Sequence, residues 1–329
     1  MEKNLFLATK NGLIIAGRSG KSWDVKKCVL GENALTSVVA RNSLVLAGSK
    51  NGILRSLNGG RDWAEANNNL TVRYVRWIVA SPENEDFLLV GTEPASIFVS
   101  SDQGDHWTEC LEVGELRDEH GWYLPYSPQA GCVRGFAIVP SSTKQRHIYA
   151  AVEVGGVLVS DDNGQTWQLV EGSDGDPDMN RSLGKLIHPD VHSITVHPSL
   201  PHLITAPTGG GLYQSDDGGR NWKCLYRCYC RAAWVDPSDH KYIIFGPADG
   251  VSRNGRIEES DDGGLTWHAA SAGMEVPWSR HMVERFFKVD EELFAVLSNG
   301  ELWTSPLSKI YWRRLFPKLQ HISSLASTN

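Results

Sequence analysis

Three arginines, a histidine and a glutamate fall at one register position of a recurring segment. The segments are short β-rich runs that end in proline or a polar turn, at 75–82, 133–140, 191–198 and 230–237. Aligned on that end, they make Arg76, Arg134, His192 and Arg231 equivalent, with Thr36 in an earlier run and Glu284 and Ser323, more loosely, in later ones. Guanidinium groups converging on one place suit a carboxylate or phosphate, which they grip with paired N–H donors. Arg76, Arg134 and Arg231 are therefore the substrate-binding candidates, joined by nearby Arg280, His281 and Glu153. Glu284, His192 and Tyr229 are the candidates for acid–base or nucleophilic work. Charges crowded in a cavity shift one another's pKa values, as functional sites do. The competing structural reading pairs Arg76 with Glu93 and Arg231 with Glu284.

A second constellation points to a metal. His188 and His192 are four residues apart with Asp190 between them, and His120 and Glu153 approach from the neighbouring repeat. Imidazole with carboxylate suits a divalent transition metal, so His188, His192 and His120 are its candidate ligands. Cys224, Cys228 and Cys230 have the right chemistry but no second cysteine pair at zinc-finger spacing.

The elements that position these residues are announced by a repeat. The pattern Ser-x-Asp/Asn-x-Gly-x-x-Trp occurs at 56–63, 100–107, 160–167, 215–222 and 260–267. Degenerate copies at 20–23 and 305–312 keep only parts of it. The seven tryptophans lie 40, 44, 60, 55, 45 and 45 residues apart. A blade of four short strands needs about 40–45 residues, so the two long intervals carry insertions. Within the motif the acid bonds its own turn's amides, Gly supplies positive φ, and Trp buries a ring between strands. Asp102, Asp162, Asp217 and Asp262 are therefore expected to shape turns.

This motif resembles the Asp-box (BNR) repeat, over nearly the whole chain. The resemblance implies an all-β fold: a seven-bladed β-propeller of four-stranded antiparallel blades, residues 1–329 forming one domain. The chain starts at a second-strand match, 4–8, and ends at an inner-strand match, 321–326. Pairing the last strand with the first blade closes the ring and removes free edges. Asp-box propellers include sialidases, other glycoside hydrolases and photosystem II assembly factor-type propellers. Sialidases are similar in gripping a carboxylate with three arginines beside a Tyr–Glu nucleophile, which would match Arg76, Arg134 and Arg231 with Tyr229 and Glu284. The assembly factor is similar in blade number and in an arginine patch that binds a protein chain.

Both insertions, 108–131 and 168–190, enter inner strands, and so belong to one rim of the channel. Enlarged loops on one face of a rigid scaffold favour binding there. Trp122, Tyr123 and Tyr126 read as lids over a cavity. The leading expectation is an enzyme or small-molecule site at the channel mouth. It would act on an anionic, carboxylate-bearing substrate by hydrolysis or elimination, with room for metal assistance. The alternative is a non-catalytic scaffold holding an acidic peptide or chain terminus. The net charge of -7 argues against nucleic acid, which needs basic surface. The apolar run at the start is too short for a signal peptide or a membrane span, and the six scattered cysteines read as free thiols. Both features point to the cytoplasm.

Overall fold

The computed structural model describes residues 3–20, 22–124, 131–140, 146–180 and 182–328. Seven four-stranded antiparallel sheets follow one another around a ring. Their inner strands are Leu35–Arg41, Val75–Ala80, Cys132–Ile138, Thr195–His197, Tyr229–Asp236, Val283–Val289 and Ile322–Ser327. The last of these belongs to the first blade. Its Leu325 pairs with Leu7 and its Ser327 with Leu5, so chain end and chain start share a sheet.

Apolar side chains fill the gaps between blades rather than a single centre. Leu44, Leu46 and Ile53 of the second blade meet Val75, Ile78, Val90 and Trp107 of the third. Second strands such as Ile148–Glu153 and Leu44–Ser49 are buried along their whole length because both faces are covered.

The Asp boxes form as their chemistry dictates. In the box at 100–107, Asp102 Oδ1 accepts the amides of Asp105 and His106 at 3.0 Å each. The Ser100 hydroxyl donates to the same carboxylate at 2.8 Å and accepts the Gly104 amide at 2.9 Å. Asp162 and Asp262 repeat the arrangement with a threonine hydroxyl added. The acids close turns, as their spacing predicted. Gly164 holds φ +77, with a Leu89 methyl 3.1 Å from where a Cβ would sit.

The first insertion is not an open loop. Residues Leu111–His120 form a helix, stopped at Gly121 in the left-handed conformation with φ 66. Tyr126 lies outside the described residues.

Candidate functional site

Six of the seven aligned positions share one structural feature. Strand register slips across Thr36, Arg76, Arg134, Arg231, Glu284 and Ser323 in their respective blades. His192 falls in the gap between the isolated Val191–Thr208 bridge and the strand that starts at Thr195. A β-bulge leaves one residue unpaired and re-aims its side chain. The loosely aligned Glu284 and Ser323 are therefore in register with the rest.

The neutral members tie blades together. The Thr36 hydroxyl donates to the Val75 carbonyl of the next blade at 2.7 Å, and Ser323 to Leu35 at 2.9 Å. The charged members pair. Arg76 meets Glu93 at 2.8 Å and the Tyr74 hydroxyl at 2.8 Å. Arg134 lies 3.4 Å from Glu153 and 3.5 Å from Glu284. Arg231 bonds Glu284 and donates from Nε and Nη2 to the Tyr229 hydroxyl at 3.2 and 3.1 Å. The Tyr229 oxygen is in turn 3.2 Å from His192 Nε2. Glu284, Tyr229 and His192 thus belong to one hydrogen-bonded chain that runs through Arg231.

Burial alone would raise Glu284, but the guanidinium groups of Arg231, Arg134 and Arg285 hold its carboxyl below the usual range. Burial pushes the Tyr229 phenol up to about 12. Neither shift brings its group towards neutrality, where a proton-transfer catalyst works best.

Arg285 was not singled out from sequence, yet it closes the channel. It is buried, and it donates to the carbonyls of Arg134 at 2.8 Å and His192 at 2.9 Å. Weaker contacts at 3.3 Å reach Arg231 and Glu284. Its guanidinium lies 4.7 Å from the centre of the Trp77 ring. Burial first, then repulsion from Arg134, depresses it to about 9, which still leaves it charged at neutral pH. The signal was available in the aligned column one residue further on, which reads Ser37, Trp77, Gly135, Ser193, Ala232, Arg285 and Ser324. The two large exceptions meet on the axis.

Trp77, Arg134 and Arg285 line cavities on both of their sides. The larger cavity, about 420 Å³, opens at the rim where the inner strands begin. Among the described residues, Lys10, Lys50, Arg76, Arg134 and Arg285 face it, against a single carboxylate, Glu284. Lys10 and Lys50 are exposed on second-to-third-strand turns. Among the described residues neither lysine has a carboxylate partner; Lys50 sits 5.0 Å over the Tyr74 ring.

Other candidates lie elsewhere. Trp122 is fully buried and donates to Gly175 at 2.8 Å, so it fastens the two insertions together instead of covering the cavity. Tyr123 is exposed, as is Arg280, while His281 stacks on Trp278. None of the four lines the large cavity. The metal set His188, His192 and His120 is not assembled. His120 stacks on Trp122, and His188 Nδ1 accepts the Asp190 amide. Among the described residues His192 instead shares ligand distance with Glu153 and Asp190. Among the described residues, the second insertion supplies Asp190 to this buried region, while part of the first forms a helix.

The fold and boxes define an Asp-box propeller of seven blades with a charged, plugged channel. The BNR/Asp-box repeat pattern matches residues 158–169. No curated protein sequence matches the chain. Among solved structures it is similar to an ancestral GH74 enzyme (17% identity, TM-score 0.63), covering 85% of this chain and 38% of that one. It is also similar to the GH74 enzyme of Niastella koreensis (15%, TM-score 0.62), covering 98% and 51%. A third similar structure is YCF48 bound to D1 peptide (15%, TM-score 0.60), covering 91% of this chain and 87% of that one. The chain thus spans about two fifths and half of the two GH74 chains. At such identities the likeness speaks for the fold alone. No helix among the described residues is long and apolar enough to cross a membrane.

Proposed function

We propose that the channel mouth is a binding site for the carboxylate of a peptide, presented as a chain terminus or an acidic side chain. The observation that carries this reading is the excess of cations over one cavity, two of them lysines without a carboxylate partner among the described residues. A site that keeps unneutralised cations at its mouth and paired arginines beneath attracts anions and then orients them. The likeness to a propeller solved with a bound peptide supports the same reading. The catalytic alternative, hydrolysis or elimination on a small carboxylate, has less support. Glu284 is held ionised by two arginines, and His192 has no solvent exposure. We place the binding in the cytoplasm, consistent with six free thiols.

The test uses fluorescein-labelled decapeptides with mixed acidic C-terminal residues, each made as free acid and as C-terminal amide. Fluorescence polarisation should select free acids, and Lys10→Glu with Lys50→Glu should weaken them by about 10-fold or more. Equal binding of acid and amide forms, together with no loss in the lysine variant, would overturn the proposal.

A further inference from the structure

Behind Arg134 lies a polar cluster that peptide binding does not use. Glu153 ends a strand of the fourth blade, while Asp190 and His192 lead towards the inner strand of the fifth. One ligand atom from each residue lies within 4.8 Å of the other two. All are sequestered: Glu153 is 3%, Asp190 7% and His192 0% exposed.

The protons of this cluster can be placed one by one. His192 Nδ1 is 2.9 Å from the Cys230 carbonyl, which can only accept, so Nδ1 carries the proton. The Tyr229 oxygen already receives two N–H groups of Arg231, and its own proton can rotate away from His192 Nε2, which lies 3.2 Å off. Nε2 then turns a lone pair towards Asp190 Oδ1, 3.1 Å away. That carboxylate oxygen is buried and has no hydrogen-bond donor among the described residues. Two electron-rich atoms in contact, shut away from water, leave a gap the size of a cation.

The 3.1 Å between His192 Nε2 and Asp190 Oδ1 fits two ligands of one metal. Bonds of about 2.0–2.1 Å at tetrahedral or octahedral angles put neighbouring ligand atoms about 3.0–3.4 Å apart. The outer nitrogen of the imidazole is anchored on a backbone carbonyl, the usual way a ligating histidine is oriented. Glu153 is oriented as well, by the Cys132 thiol at 3.0 Å and by Arg134. One imidazole with two carboxylates suits zinc or manganese better than calcium, which asks for six or more oxygens.

We propose that Glu153, Asp190 and His192 bind one divalent first-row transition ion, of the zinc or manganese class. His188 and His120 are not ligands. The ion would lock the fourth blade to the fifth, where the second insertion makes their connection longest. This inference is independent of peptide binding.

The experiment is metal analysis by inductively coupled plasma mass spectrometry on untagged protein expressed with added zinc or manganese. Wild type and His188→Ala should each hold about one ion per chain, while Asp190→Asn and His192→Gln should fall below about one tenth. Wild type stripped with EDTA should melt lower and recover on addition of zinc or manganese chloride, whereas Asp190→Asn should not respond. Add-back to wild type decides the matter even if a variant folds poorly. Metal-free wild type with no thermal response would overturn the proposal and leave a proton on His192 as the occupant of the gap. Full metal content in both ligand variants would overturn it equally, by placing the ion elsewhere.

Discussion

Replacing Arg285 with methionine should destabilise the ring more than any other single change in the channel. Methionine fills much of the space but donates nothing. The two short bonds to the Arg134 and His192 carbonyls are lost, and both acceptors sit where water has poor access. Hydrogen bonds from a charged donor contribute about 1.5–3 kcal/mol each, so the gross loss is about 3–6 kcal/mol. The two contacts at 3.3 Å add little, and stacking on Trp77 is partly kept by the thioether. Removing the buried guanidinium also relieves its desolvation, while leaving Glu284 and its neighbours one cation short. Breaking a buried ionic arrangement from one side typically costs about 3–5 kcal/mol, and that is the net expected here. At about 2 °C per kcal/mol for a chain of this size, the melting point should fall by about 6–10 °C. Scanning calorimetry at neutral pH reads it. Arg220→Met is the control, because Arg220 and Glu171 are both mostly exposed at 3.5 Å and an exposed pair contributes about 0–1 kcal/mol. A fall no larger than the control's would refute the reasoning: the guanidinium would then be a passenger and the septum would be held by Trp77 alone.

Acid should loosen the Asp boxes before it unfolds the ring. Asp102 and Asp217 are held at about 2: burial opposes the shift, and the turn's amides and side-chain donors outweigh it. Depressed folded-state values mean that this stability is complete above the ordinary carboxylate value of about 3.9 and fades as pH falls through about 2. The urea midpoint should therefore drop between pH 4 and 2, and Asp217→Asn should flatten that drop; an unchanged slope would count against the assignment. In the box at 160–167, Ser160→Ala removes one donor and one acceptor and should cost about 1–2 kcal/mol. Trp167→Ala, which empties a buried site, should cost about 3–5 kcal/mol by urea denaturation, and equal costs would show that the ring is not what holds the blade.

The fold was legible because the box is local chemistry. Ser, Asp, Gly and Trp satisfy one another within eight residues, so their spacing survives any drift in the strands around them. The axial ring was legible for a related reason: proline follows four of the inner-strand segments, which sets the register of Arg76, Arg134 and Arg231. The pairs Arg76–Glu93 and Arg231–Glu284 followed from that register. Contacts across the ring did not. Arg285 of the seventh blade meets Trp77 of the third and carbonyls of the fourth, fifth and sixth, and no repeat encodes such a meeting. Trp122 misled for the opposite reason. An aromatic residue in a long loop suggests a lid, but two long insertions side by side need an anchor more than a cavity needs a cover.

Charge placement separates the scaffold from the site. Around the axis, the cations Arg76, Arg134, Arg231 and Arg285 stand among Glu93, Glu153, Asp190 and Glu284. Among the described residues, four positive groups against four negative ones make the buried layer close to neutral before any ion enters, which is the condition for burying charge at tolerable cost. A neutral layer cannot attract a distant anion. That task falls to Lys10 and Lys50 on flexible side chains at the rim, where desolvation is small and the field reaches solvent. Arg134 becomes available only when an arriving carboxylate competes with Glu284 for it. Affinity at this site should then depend on the lysines through the association rate, and on Glu284 through the dissociation rate. Glu284→Gln would remove the competing charge beside Arg134 without changing the shape of the wall. If the channel mouth binds carboxylates, that variant should hold them longer than wild type, with an unchanged on-rate. Slower association or faster release would mean that Glu284 contacts the ligand itself.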